Sequence, residues 1–341
     1  MISATFKVKT KRLLSVLFLL FGIIFIYKLF SFSIERKDEI KKYENYFQDS
    51  YKIFSVEVPE ELIFAGEKIS TDRFDIKEAL DREMLTNVYW QSQTLLMLKR
   101  ANRWFPRIEP ILKKNNIPDD FKYLALIESS FTYTVSPAGA SGFWQFMKKT
   151  AQNYGLEVNE EVDERYNLEK STEAACKYLK EAYDTLKNWT LAAASYNMGI
   201  GGLKNQVEIQ KTSSFYDLYL NLETSRYIYR IFAIKLIFEN PKKYGFLLRK
   251  KDLYPEIEIR KLQVDTPIFN LINFAAKQNV NYKILKMFNP WLKKPCLINK
   301  LRKTYFIEIP EKTNYSDLLK NIPEDDLKFI EGIVDTIKKI N

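Results

Sequence analysis

The sequence contains no histidine. That one absence removes His-based triads, His metal ligands and imidazole proton relays from the available chemistry. Cysteine is almost absent too. Cys176 and Cys296 are too few and too far apart for a metal knuckle. A disulfide between them stays open, and Cys176, in an apolar helical pattern, reads as core. No metal and no cofactor are expected, so any catalysis must fall to carboxylates and tyrosines. There is no internal repeat and no low-complexity tract. What is present is a chain of 341 residues, long enough for one large or two modest domains, with 21 Tyr, 24 Phe and a net charge of +10. A basic balance suits an anionic partner, whether nucleic acid, a membrane surface or an acidic wall polymer. Lys and Arg are spread along the chain rather than gathered into arms, which argues against nucleic acid.

Residues 1–12 carry Lys7, Lys9, Lys11 and Arg12 and no acid. An apolar run follows from Leu13 to Tyr27, then Lys28 and a second apolar stretch to Ile34. A basic flank before a long apolar run marks either a cleaved signal or a signal anchor. No small-x-small cleavage site follows. No cysteine follows either, which speaks against a lipoprotein anchor. The expectation is an uncleaved membrane anchor over 13–34, with the basic segment 1–12 in the cytoplasm and the bulk of the chain outside. Residues 35–75 are charged and read as a stalk.

From Asp75 to Asn115 apolar residues recur at helical spacing, Ala79, Leu80, Met84, Leu85 and Val88 among them. Ile117-Pro118-Asp119-Asp120 is a good helix start. In the helix it launches, Phe121, Leu124, Ala125 and Glu128 share one face. Three of these are apolar and the fourth is an acid. Burial on such a stripe costs the ionised form, and the negative end of the helix dipole acts in the same direction, so the Glu128 pKa should rise. A carboxyl kept protonated near neutral pH is what general-acid chemistry needs.

Downstream, Ser136-Pro137 and Ala138 to Gly142 read as a tight loop, and Phe143 to Tyr154 as a helix closed by Gly155. Ser171 is a cap candidate for a helix to about Leu186. TLAAASYNMGIGGL reads as a small-residue helix breaking at Gly199, Gly201 and Gly202, and Leu222 to Asn240 as a strong helix. From Tyr254 the pattern changes. Ile257 and Ile259 alternate, two short helical stretches follow, and TYFIEIP alternates again. That gives a strand–helix–helix–strand unit over 255–310, followed by a polar tail over 311–341.

The blocks ALIESSF, VSPAGASGFWQF, VDERYN with STEAACKYL, ASYNMGIGGL and ETSRYIYR occur in the order and spacing of lytic transglycosylases. Over roughly 55–310 the chain resembles the D type of the membrane-bound lytic murein transglycosylases. The resemblance implies a mainly α fold, with a lysozyme-like (SLT) catalytic domain over 76–245 and a small C-terminal α+β unit similar to a divergent LysM module. It implies cleavage of the β-1,4 bond between N-acetylmuramic acid and N-acetylglucosamine in peptidoglycan, leaving a 1,6-anhydromuramic end. Glu128 matches the single catalytic Glu. Ser136 matches the loop serine, Gln145 the glutamine of the Gly-Leu-Met-Gln block (here GFWQ), and Tyr196 and Asn197 the pair that grips the N-acetyl sugar. Tyr227 matches the tyrosine close to the acid. On residue chemistry alone other roles stay open: loop bridging for Gln145 and Asn197, core packing for Tyr196 and Tyr227, turn chemistry for Ser136. Asp163, Glu164 and Arg165 read as a structural charge cluster, and Glu223 as structural. The implied location is the cell envelope, anchored in the inner membrane with the catalytic domain in the periplasm, and the protein is expected to be a monomer. The alternatives are a hydrolytic muramidase, for which Asp163 would be the candidate second carboxylate, and an inactive wall-binding protein.

Overall fold

The computed structural model describes residues 19–28, 41–42 and 53–320. Two parts are distinct, 1–55 and 56–341. In the first, residues 19–28 are helical with exposed apolar side chains, Phe21 and Phe25 included. Most of the expected anchor over 13–34 lies outside the described residues. Among the described residues no helix is long and apolar enough to cross a membrane.

The stalk expected over 35–75 does not extend through its second half. Strands β1 (Glu61–Phe64) and β2 (Glu67–Ser70) form an antiparallel hairpin pairing Leu62 with Ile69. Its two-residue turn is Ala65-Gly66, both at positive φ (51° and 82°), the primed geometry that matches strand twist. Leu62, Phe64 and Ile69 are buried in the main core, where Phe64 packs against Phe121 and Phe232. Four-residue strands between charged neighbours carry too short an alternation to stand out from a charged linker. The hairpin also ties two helices. Ala65 N–H donates to Asp120 Oδ2 at 2.7 Å, and the Glu67 carboxylate accepts from the backbone N–H groups of Trp189 and Thr190. A carboxylate on those unpaired N–H groups caps the helix that begins there.

The rest of the main core is helical. Helices α1 (Phe74–Tyr89) and α2 (Gln91–Lys114) replace the single periodic stretch read from sequence. They are followed by α3 (Phe121–Ser129), α4 (Lys148–Asn153), α5 (Leu168–Leu186), α6 (Trp189–Met198), α7 (Ile200–Gln210) and α8 (Leu222–Glu239). Helix α6 is surrounded: Leu191, Ala192, Ala193, Ala194 and Ser195 are all at 0 % exposure. Small side chains let the neighbouring helices come close, and a helix enclosed on all sides shows no polar face. The chain breaks at Gly199 (φ 86°), as expected, but Gly201 and Gly202 lie inside α7. The cap of α5 is Asn167, whose side chain accepts from Lys170 N–H, and Ser171 sits buried within the helix. Glu83 is fully buried between α1 and α8, paired with Arg226 and Arg82.

Beyond Tyr254 come β3 (Ile259–Val264), α9 (Leu271–Lys277), α10 (Tyr282–Phe288), β4 (Tyr305–Pro310) and a short α11 (Tyr315–Leu319). Strands β3 and β4 pair antiparallel from Ile259↔Pro310 to Val264↔Tyr305. Leu271, Leu285, Leu292, Leu297 and Ile307 fill a separate small core at 0 % exposure. Each such side chain contributes roughly 1.5–3 kcal/mol on burial. Val162, from the main domain, completes that core, and Arg107 pairs with Glu308 and Lys261 with Glu169 across the junction. The expected tail lies largely beyond the described residues.

Candidate active site

Helix α3 presents Glu128 one residue before its end. Ser129 and Ser130 follow, and the chain turns through two non-glycine residues in the left-handed region, Ser130 (φ 49°) and Phe131 (φ 52°). Such a conformation persists only when its surroundings enforce it. Here Phe131 is buried, Phe131 N–H donates to Ser129 Oγ at 3.1 Å, and Ser129 Oγ donates to the Phe143 carbonyl at 3.0 Å. Gln93 and Arg100 of α2 hold Ser130. Nothing in the sequence marks Ser129, which there is only a polar residue beside an acid.

The face shared by Phe121, Leu124 and Ala125 is fully buried, and Glu128 lies half-buried at its end. Burial pushes its carboxyl up to about 7, with the nearby Glu223 charge adding to the effect. The hydrogen bond from Tyr227 and the Arg230 cation act in the opposite direction and are outweighed. Tyr227 Oη, on buried α8, donates to Glu128 Oε1. Burial holds the Tyr227 phenol well above its ordinary value, so it stays a donor.

The segment Phe143–Phe146 is not helical, contrary to the expected helix from Phe143. It is a turn in which Phe143, Trp144 and Phe146 are all buried and Gln145 takes φ 46°. Gln145 N–H closes the turn on the Gly142 carbonyl at 3.2 Å, and the left-handed Gln145 breaks any helical path through the segment. Tyr196 Oη donates to the Trp144 carbonyl at 2.8 Å, and Trp144 Nε1 donates to Thr172 Oγ1 at 2.9 Å. Gln145 Nε2 folds back onto the carbonyls of Gly142 (2.7 Å) and Thr134 (3.1 Å). Ser136 Oγ accepts from Ala140 N–H at 3.0 Å, closing the preceding loop. Asn197 Nδ2 donates to Glu223 at 3.3 Å, while its Oδ1 accepts from the buried Thr224 hydroxyl at 2.8 Å. Tyr227 is thus directly on Glu128, and Tyr196, Gln145 and Ser136 hold the adjoining loop. Asn197 sits on the α6–α8 side, coupled to Glu223.

The charge cluster has a definite task. Arg165 Nε and Nη2 pair with Asp163, and Arg165 Nη1 reaches the carbonyls of Gly139 (3.0 Å) and Phe146 (3.1 Å). A guanidinium with its carboxylate buried beside it clamps both ends of the site loop. Asp163 is thereby locked at 3 % exposure, both carboxylate oxygens held by Arg165. Among the described residues no His/Cys/Asp/Glu group could hold a metal ion.

Residues 106–218, which hold Glu128, Ser129, Ser136, Gln145, Asp163, Arg165, Tyr196 and Asn197 but not Tyr227, match the family model of the transglycosylase SLT domain. The chain carries an SLT transglycosylase domain. Residues 260–313 match the model of the soluble lytic transglycosylase C-terminal LysM-like domain. Thus the fold is a lysozyme-like SLT domain with a LysM-like unit docked on it. Over 224 residues the chain is 28% identical to membrane-bound lytic murein transglycosylase D of Escherichia coli strain K12, covering 64% of this chain and 48% of that protein. The protein of the same name in Escherichia coli O6:H1 matches with the same figures. The chain therefore spans about half the length of these curated relatives.

Tyr227→Phe, on α8 beyond the matched residues, should slow turnover by roughly 10- to 100-fold, the usual scale for a group that positions an acid or base. The lost hydrogen bond favoured the ionised carboxylate, so the alkaline limb of the kcat/KM–pH profile should move upward in pH. A rate loss with an unmoved limb would reduce Tyr227 to packing. Gln145→Ala and Asn197→Ala should lower the rate more weakly. A loss from Asn197→Ala equal to that of changing Glu128 would show that the amide serves the chemistry itself.

Proposed function

We propose that the protein is a peptidoglycan lytic transglycosylase that cleaves the β-1,4 bond between N-acetylmuramic acid and N-acetylglucosamine. The reading is carried by one observation: a half-buried carboxyl at the end of an apolar helix face that accepts a hydrogen bond from the buried Tyr227 phenol. With Oε1 occupied by Tyr227, the acidic proton sits on Oε2, free to meet the bridging oxygen. Glu128 donates it as the glycosidic bond breaks and an oxocarbenium-like sugar develops. The resulting carboxylate, steadied by Tyr227 and Arg230, then takes the proton of the muramic C6 hydroxyl as that oxygen closes on C1. The proton returns to Glu128 and no water is consumed. The nucleophile is already tethered to the sugar, so its effective molarity is high, of order 10⁵ M or more in favourable cases. One carboxylate then serves where hydrolytic glycosidases use two.

A hydrolytic muramidase is the second reading, and Glu223 favours it by lying near enough to raise the Glu128 pKa. Mass analysis of digested sacculi separates the two, because an anhydro end is one water lighter than a reducing end. Digests with reducing ends alone would overturn the lytic reading. The apolar run after the basic N-terminal residues supports anchoring in the inner membrane with this domain in the periplasm. The LysM-like unit would keep the enzyme on its polymer by raising its local concentration.

A further inference from the structure

A cavity of about 570 Å³ opens where the SLT domain meets the LysM-like unit. Its size is within the range of small-ligand sites. Trp104, Tyr133, Tyr282, Met287 and Phe288 give it apolar walls. Arg103, Arg107, Lys283 and Lys286 give it cations, and among the residues lining it Glu256 is the sole acid.

The cations are not equivalent. Arg107 is committed to Glu308 and Glu169. Arg103 gives Nε to the Pro255 carbonyl at 3.0 Å, lies over the Tyr254 ring at 5.4 Å, and has no carboxylate partner among the described residues. Lys286 reaches only the Leu292 carbonyl, and Lys283 is exposed. Three cations thus stand against one exposed acid around an apolar space. Partly buried guanidinium and ammonium groups without counter-charges favour an anionic occupant, because charge-assisted bonds strengthen away from water.

The cavity is also joined to the catalytic loop. Tyr133 lies on the loop that leaves the Glu128 helix and stacks on Phe143 at 4.9 Å; Trp104 meets Phe143 edge-on at 5.2 Å. Phe143 is the residue whose carbonyl receives Ser129 beside Glu128. Cavity wall and catalytic floor therefore share one aromatic block.

We propose that this cavity binds the carboxylate-bearing peptide that hangs from the lactyl group of the muramic sugar, so that the enzyme selects peptide-bearing glycan. This rests on the peptidoglycan reading above and adds a specificity site to it. The peptide offers what the cavity lacks, carboxylates on a partly apolar chain, and its attachment to the reacting sugar requires a site beside the cleft.

The test is calorimetric titration of the full chain with a synthetic stem tetrapeptide bearing free carboxylates, against the same peptide with its carboxylates amidated. The acidic peptide should bind about tenfold or more tightly than the amidated one, the scale of losing one charge-assisted contact. Lys283→Glu, at an exposed position that does not threaten folding, should weaken it by at least about tenfold, and Arg103→Gln should act in the same direction. On glycan strands, removing the peptides should raise KM for the wild type and leave it unchanged for Lys283→Glu. Equal binding of the two peptides, binding of neither, or binding indifferent to both substitutions would overturn the proposal. Binding is read without turnover, while anhydro ends formed from peptide-free strands report on the catalytic reading, so the two can fail separately.

Discussion

Glu128→Gln should abolish cleavage, by about a thousandfold or more, while glycan binding and fold survive. The amide keeps the shape and still accepts from Tyr227, but it cannot deliver a proton, and general-acid catalysis alone is worth 10²–10⁴-fold. In the proposed mechanism the same carboxyl also closes the ring as base, so one substitution removes both steps. The assay is turbidity loss and anhydro-product mass from purified sacculi; residual cleavage at a tenth of the wild-type rate would mean that another group is the acid. A stability change should accompany the loss. The folded state lifts this carboxyl from 4.5 to about 7. Between those values the folded protein binds more protons than the unfolded one, so stability falls as pH rises through the window. The cost saturates above pH 7 at up to about 3 kcal/mol, less whatever solvent at the half-exposed side chain screens. Glu128→Gln removes that cost. It should melt higher than wild type at pH 8 and close to wild type at pH 4.5. The kcat/KM profile of the native enzyme should fall as pH rises through about 7, where the acid is lost.

Gly142→Ala should be nearly as damaging, through the backbone. Gly142 has φ 81°, and a Cβ there would lie 1.9 Å from the Arg165 carbonyl oxygen and 2.7 Å from its carbon. Backbone atoms cannot swing aside as a side chain can. That backbone is fixed by the Arg165–Asp163 pair and by the carbonyls Arg165 holds at Gly139 and Phe146. Left-handed strain of about 1 kcal/mol adds to the clash, for a loss of roughly 3 kcal/mol or more with activity falling in parallel. Gly139→Ala is the control: φ is 88°, but nothing lies within 4 Å of its Cβ position, so only the strain applies. Thermal melts of the two variants give the comparison. Equal losses would show that the contact with Arg165 is not what requires glycine at 142.

The place of Glu128 at the end of a buried helix face was legible because its neighbours carry a helical period, and a period of three to four puts an acid on an apolar stripe whatever the tertiary context. The β3–α9–α10–β4 order was legible for the same reason, with alternation giving way to helical spacing and back. The hairpin at 61–70 was not, since four-residue strands between charges carry too little pattern to distinguish from a linker. Phe143–Phe146 carries no sequence signal against a helix, because three aromatics in four residues satisfy any period. Only the Arg165 clamp and the left-handed Gln145 make that segment a turn.

By itself the sequence determined which chemistry was open, since a chain without histidine leaves carboxylates and tyrosines, and its periodicity put the Glu128 acid at the end of an apolar stripe. The tertiary structure decided its pKa and its partners. Tyr227, Arg230 and Glu223 reach Glu128 only because α8 packs beside α3, and desolvation depends on everything that surrounds the side chain. Local spacing carries no information about contacts made across a hundred residues of chain.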